Sequence, residues 1–232
     1  MTPRLVLADA LTARDVLTFL GRSRAISDDG VRLQAAGGVL ALTAAALAPQ
    51  GLFDHTPTVL AMRIVHADPE LRCDLVVDEL EASDDERMLV LPETSRSPAW
   101  AGIAPPRGGW QRVGDLTASA IAERAQWGMA AVARGAGTQS GEEVVRSVRA
   151  EVWGEPDEDL LGLPRGVAFA AQAFGFIASD RDARPERRSD TEQVSVTSSG
   201  RWTRLAFHRG HVLSRGPAAV GLTAVRETGA VR

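Results

Sequence analysis

The stretch from Gly166 to Ile177 sets the hardest condition on this fold. Its twelve residues are apolar on nearly every side of a helix, with Gln172 as the single strongly polar member. Val167, Ala171, Phe174 and Ile177 line one side, and Phe169, Ala173 and Phe176 line another. Such a helix has no face to offer water and should be central. Pro164 stands where the first turn of that helix favours proline. The run is well short of the ~20 apolar residues a bilayer requires, so it reads as a core helix. Burying the Gln172 amide without partners costs about 1–3 kcal/mol, so the side chain either bonds internally or faces a ligand cavity.

Around that run the chain alternates strand and helix signals. Thr12 to Arg24 reads as a helix capped by Thr12, with Val16, Leu17 and Leu20 on one stripe. Val31 to Ala36 and Val39 to Thr43 are joined by Gly37-Gly38, the signature of a two-residue hairpin, although the alanine-rich second arm is also compatible with helix. Strands are expected over 58–66, 73–77 and 88–91, with a short helix or turn in the acidic stretch 78–86. From Pro92 to Gly114 prolines and glycines crowd around Trp100 and Trp110, which suggests an ordered loop, because disordered segments are poor in aromatics.

Helices are expected over 115–134 and after Ser140, where Ser140 and Glu143 form a capping box and Val144, Val148 and Val152 repeat every four residues. A polar linker over 179–193 follows, then a three-stranded meander over 194–197, 201–207 and 211–215. Residues 217–232 read as a low-order tail. No internal repeat is evident. The expectation is a single α+β domain over 1–216, with a mixed, strand-rich N-terminal half, three central helices and a short C-terminal antiparallel meander.

The 26 basic residues are all arginine, and lysine, asparagine and tyrosine are absent. These three residues have the most AT-rich codons, so the composition points to a GC-rich genome. It also deletes mechanisms: no Schiff-base lysine, no phosphate-loop lysine and no Cys-His-Asn triad. A formal net charge of −4 argues against a general nucleic-acid binder. The single cysteine, Cys73, allows no internal disulfide and fits a reducing compartment. Met1 to Leu11 is broken by Asp9 too early for a secretory segment, so a cytoplasmic protein without membrane attachment is expected.

No catalytic signature emerges. His208 and His211 read as polar turn residues rather than as metal ligands, which normally come in sets of three or four. His66, Asp68 and Cys73 lie close in sequence, but nothing flanking Cys73 matches a nucleophile signature. Glu155 to Asp159 lacks the alternating ligands and glycine of a calcium loop and reads as a solvated acidic loop. No cofactor and no metal are expected.

The strongest candidate surface combines Trp100, Arg107 and Trp110 with Trp202 and Arg204. Tryptophan and arginine together supply contact area, cation–π stacking and forked hydrogen bonding. The competing reading places the tryptophans in the core. The Pro-Ala-Trp-Ala-Gly and Pro-Pro-Arg-Gly-Gly-Trp segments within 98–110, the Trp-Thr-Arg-Leu strand and the Arg-Gly-His-Val-Leu segment at 209–213 resemble an uncharacterised conserved family of actinobacterial proteins. The resemblance covers about half the chain; it implies an actinobacterial source and brings no activity with it.

The reading is a non-catalytic binding protein for a partner protein or a small ligand, using Trp100, Arg107, Trp110, Trp202, Arg204 and Gln172, with homodimer formation allowed. The alternative is an enzyme acting on a small anionic substrate held in an arginine-lined pocket, since no lysine exists to hold it.

Overall fold

The computed structural model describes residues 4–51, 53–136, 141–177 and 192–216. In chain order these form β1 (Arg4–Val6), α1 (Ala10–Arg24), β2 (Val31–Ala36), β3 (Val39–Leu47), β4 (Thr58–His66), β5 (Cys73–Val77), β6 (Glu81–Ala82) and β7 (Met88–Val90). The second half supplies β8 (Gln111–Thr117), α2 (Ala118–Ala136), α3 (Glu142–Gly154), β9 (Pro156–Asp157), β10 (Leu163–Pro164), α4 (Gly166–Ala173), β11 (Gln193–Ser199), β12 (Trp202–Phe207) and β13 (Gly210–Arg215). The fold is α+β. No helix among the described residues is long and apolar enough to cross a membrane.

An eight-stranded antiparallel sheet runs β5-β2-β3-β4-β13-β12-β11-β8. The first half of the chain builds β5-β2-β3-β4, the second builds β13-β12-β11-β8, and Thr58–Met62 of β4 pairs with His211–Arg215 of β13 to join them. Each half follows the same order: one strand, a helical segment, then a three-strand meander whose last strand lies at the join. That order repeats although the sequence carries no visible repeat. The first strand differs in use, because β8 belongs to the large sheet whereas β1 pairs with β7 in a small one.

Gly37 and Gly38 both adopt positive φ, 61° and 81°, and turn β2 into β3 as their sequence implies. The alanine-rich arm is a strand because β2 and β4 flank it on both sides. Helix α1 starts earlier than expected, with Asp9 as its cap in place of Thr12. The Asp9 carboxylate accepts from the Thr12 backbone N–H at 2.7 Å, and a negative cap also suits the helix N-terminus.

Residues 111–117 are strand rather than helix or loop, since β11 pairs with them, and α2 begins at Ala118 with the Thr117 hydroxyl accepting from Ala120 N. The acidic stretch holds the short strand β6. Ser140 and most of the expected linker and tail lie outside the described residues. Helix α3 is present, with Gly141 at its cap position.

Helix α4 covers only Gly166–Ala173, and Pro164 belongs to β10, opposite Pro156. Its burial is as expected: Val167, Ala168, Ala170 and Ala171 are fully enclosed. The sheet lies beneath it through β3, β4 and β13, and α2 and α3 pack beside it.

Alternation along the central strands gives the sheet two apolar faces. Val59, Ala61, Leu205 and Val212 join α1 and α4 in the main core, whereas Leu60, Trp202 and Leu213 point the other way with Ala45 and Trp100. The second cluster positions the candidate site.

Candidate functional site

The chain between β7 and β8 crosses the sheet face on which no α-helix packs among the described residues. A 3-10 turn at Ala99–Gly102, following an extended Pro98, lowers Trp100 onto Ala45, Leu60, Leu213 and Trp202. Trp100 and Trp202 retain 5% and 6% of their exposure, so they are the footing of this site and not its contact surface.

Three anchors hold the crossing segment. Arg32 on β2 makes a forked pair with Asp74 on β5, at 2.7 and 2.8 Å, and donates from Nη1 to the Ala101 carbonyl at 2.6 Å. The Ser199 hydroxyl donates to the Gly108 carbonyl at 3.2 Å. Trp110 Nε1 donates to the Pro106 carbonyl at 3.2 Å, which closes the Pro-Pro-Arg-Gly-Gly loop on itself. Gly109 takes φ +75° within that loop, a conformation that excludes most side chains.

Above the footing, the Arg204 guanidinium stacks on the Trp110 ring, 4.6 Å from its centroid. Both side chains are half-buried. Thr197 is the register partner of Arg204, and His211 follows two residues before Leu213 on the next strand, so all three polar residues share this face. Arg204 Nε, His211 Nδ1, Thr197 Oγ1 and Trp100 Nε1 are buried and have no hydrogen-bond partner among the described residues. Such groups are uncommon in folded proteins, and each costs about 1–3 kcal/mol.

Burial pushes the His211 imidazole below its ordinary value, and the Arg204 charge pushes in the same direction. Arg32 holds the Asp74 carboxyl below the usual range, assisted by Gln34. The exposed side chains Ile64 and Val39 extend an apolar strip from the site along the same face.

The structure thus brings Trp100, Trp110, Trp202 and Arg204 into one assembly. Arg107 sits exposed on the loop that Trp110 closes. Gln172 lies on α4, on the opposite side of the sheet and half-buried, so its amide is not forced to find an internal partner. Arg32, Asp74, Thr197 and His211 entered the assembly through strand register, which no local spacing announces.

The other motifs resolve in place. His66 and Cys73 lie on β4 and β5, with β3 and β2 between them, roughly 14 Å apart at ordinary strand spacing. Burial raises the Cys73 thiol, which disfavours the reactive thiolate. His208 lies exposed in the β12–β13 turn. No group of three or more His, Cys, Asp or Glu among the described residues could hold a metal ion. The acidic loop differs from expectation: Asp157 is only 6% exposed, because its carboxylate accepts from Arg165 Nε at 2.9 Å and from Asp159 N at 3.0 Å.

Two family models match the sequence, both described as a domain of unknown function: DUF8010 over residues 1–102 and DUF8185 over residues 105–219. Their boundary falls inside the segment that crosses the open face, between Trp100 and Trp110. No curated protein matches the sequence. Among solved structures, the chain is similar to the DNA polymerase sliding clamp of Caulobacter crescentus, with 13% identity and a TM-score of 0.43, covering 98% of this chain and 69% of that one. It is also similar to the DnaN sliding clamp of Bartonella birtlesii bound to griselimycin, with 13% identity and a TM-score of 0.49, covering 95% of this chain and 66% of that one. The chain spans about two thirds of the length of these structures.

Proposed function

We propose that the protein is a non-catalytic binder and that it takes a segment of a partner protein on the open face of its sheet. Trp110, Arg204 and Arg107 form the contact surface, and Trp100 and Trp202 form its base. The observation that carries the reading is Arg204 itself: its guanidinium stacks on the Trp110 ring in a half-buried side chain, and its buried Nε has no hydrogen-bond partner among the described residues. A guanidinium held flat with unused donors suits the carboxylate or carbonyl groups of a protein segment. The apolar strip through Ile64 and Val39 suits aliphatic side chains on that same segment.

The test begins with capture by the wild-type protein, followed by calorimetry on the purified captured partner. Arg204→Ala and Arg107→Ala are each expected to weaken it by about tenfold or more, the range of contact residues that anchor an interface, with unchanged melting of the free protein for the exposed Arg107→Ala. A partner bound equally by wild type and Arg204→Ala overturns the reading.

A further inference from the structure

On the other side of the sheet, a cleft of about 400 Å³ lies between α1 and the turn that follows α4. Asp15, Thr18 and Arg22 of α1 contribute to its walls, with Arg63 of β4 and Arg209 from the β12–β13 turn. Phe19, Phe174 and Phe176 pack beneath it, nearly fully buried, with ring centroids 4.9 Å apart for Phe19 and Phe174 and 6.2 Å apart for Phe174 and Phe176. Three arginines and one aspartate therefore line the cleft, in a chain whose formal net charge is −4.

The arginines differ in how they are held. Arg63 is the fixed one: its side chain is 23% exposed, it pairs with Asp15 through Nε at 2.7 Å, and it donates to the Arg209 carbonyl. Arg22 donates through Nη1 to the Phe174 carbonyl, which the left-handed Gly175 turns toward it. Its neighbours on α1 are neutralised, Arg14 by Glu86 and Arg24 by Glu79. Arg22 and Arg209 have no carboxylate partner among the described residues. The surplus positive charge is thus concentrated in the cleft and is not spread along the helix.

We infer that this cleft is a binding site for a small phosphate ester. A phosphate dianion matches the excess of two positive charges, and guanidiniums from three different elements can each address a different phosphate oxygen. The phenylalanines beneath the cleft lower the local dielectric and strengthen those contacts. A cleft of this volume holds more than an inorganic ion and lies at the lower end of small-molecule sites, so room is left beside the phosphate for the ester's organic part. The site stands apart from the tryptophan assembly, which occupies the opposite face.

The probes are phenyl phosphate and inorganic phosphate, titrated by calorimetry against wild type and Arg209→Gln. Arg209 is exposed and its side chain bonds to nothing among the described residues, so the variant keeps the wild-type melting temperature. The expected result is phenyl phosphate bound about tenfold more tightly than inorganic phosphate, with about tenfold loss in Arg209→Gln and partial recovery in Arg209→Lys. No binding of phenyl phosphate, equal affinity for the two phosphates, or equal affinity in wild type and Arg209→Gln each overturns the inference. So does a salt-steep affinity for an oligonucleotide that phenyl phosphate fails to displace.

Discussion

His211 places an imidazole on the sheet face beside Arg204, where burial and the neighbouring charge both favour the neutral ring. The folded state therefore binds this proton less readily than the unfolded chain, whose value is the ordinary 6.5. Stability from this residue is fully present above about pH 6.5 and is lost as the pH falls below it toward the depressed folded value. Melting temperatures recorded from about pH 7.5 down to pH 5.5 should fall for the wild type and fall less for His211→Gln. Parallel curves for the two would remove His211 from the account. Asp74 follows the opposite chemistry at a lower pH. Its carboxylate is stabilised by Arg32, so the pair that holds Ala101 in place weakens only as the pH falls below the carboxylate's ordinary 3.8. The two sets of contacts on the open face thus fail at different acidities.

Helices α2 and α3 meet where Gly128 faces Trp153, and a Cβ built on Gly128 would lie 2.0 Å from the indole Cζ3. Trp153 is buried and stacked on Phe169 at 4.8 Å, so it cannot swing aside cheaply. Gly128→Ala should therefore destabilise the protein by about 2 kcal/mol, despite the better helix propensity of alanine. Gly21 on α1 meets nothing within 4 Å, and Gly21→Ala there should stabilise by about 0.5–1 kcal/mol. Thermal melts of the pair check both signs, and a Gly128→Ala protein as stable as wild type would show that the helices can separate. Local signals disclosed α3 and the β2–β3 hairpin, since the valine spacing of the one and the Gly37-Gly38 turn of the other each lie within a few residues. Strand β8 escaped because its one partner among the described residues is β11, some 80 residues later, and Asp115 to Thr117 carry no pattern of their own. The grouping of Trp100, Trp110, Trp202 and Arg204 was legible as shared chemistry. Which of them would be buried was not, because that depends on a sheet with two apolar faces. The arginine cleft was invisible for a related reason: Arg22, Arg63 and Arg209 meet only after the two halves of the sheet have joined.

The main core draws on both halves, from Leu5 and Val16 to Leu205 and Val212. We expect the single domain read over 1–216 to melt as one cooperative unit, with calorimetric and van't Hoff enthalpies in agreement. Two resolved transitions would instead make the halves, and the two matched families, independent folding units. The backbone seam between β4 and β13 is antiparallel and joins two halves of like element order. A chain half as long would carry the same bare strand edge and could cover it only by meeting a second copy, at a rate set by abundance. Placing both edges on one polypeptide turns that encounter into an internal one, at an effective concentration on the order of millimolar. The joined sheet then forms as readily in a dilute solution as in a concentrated one.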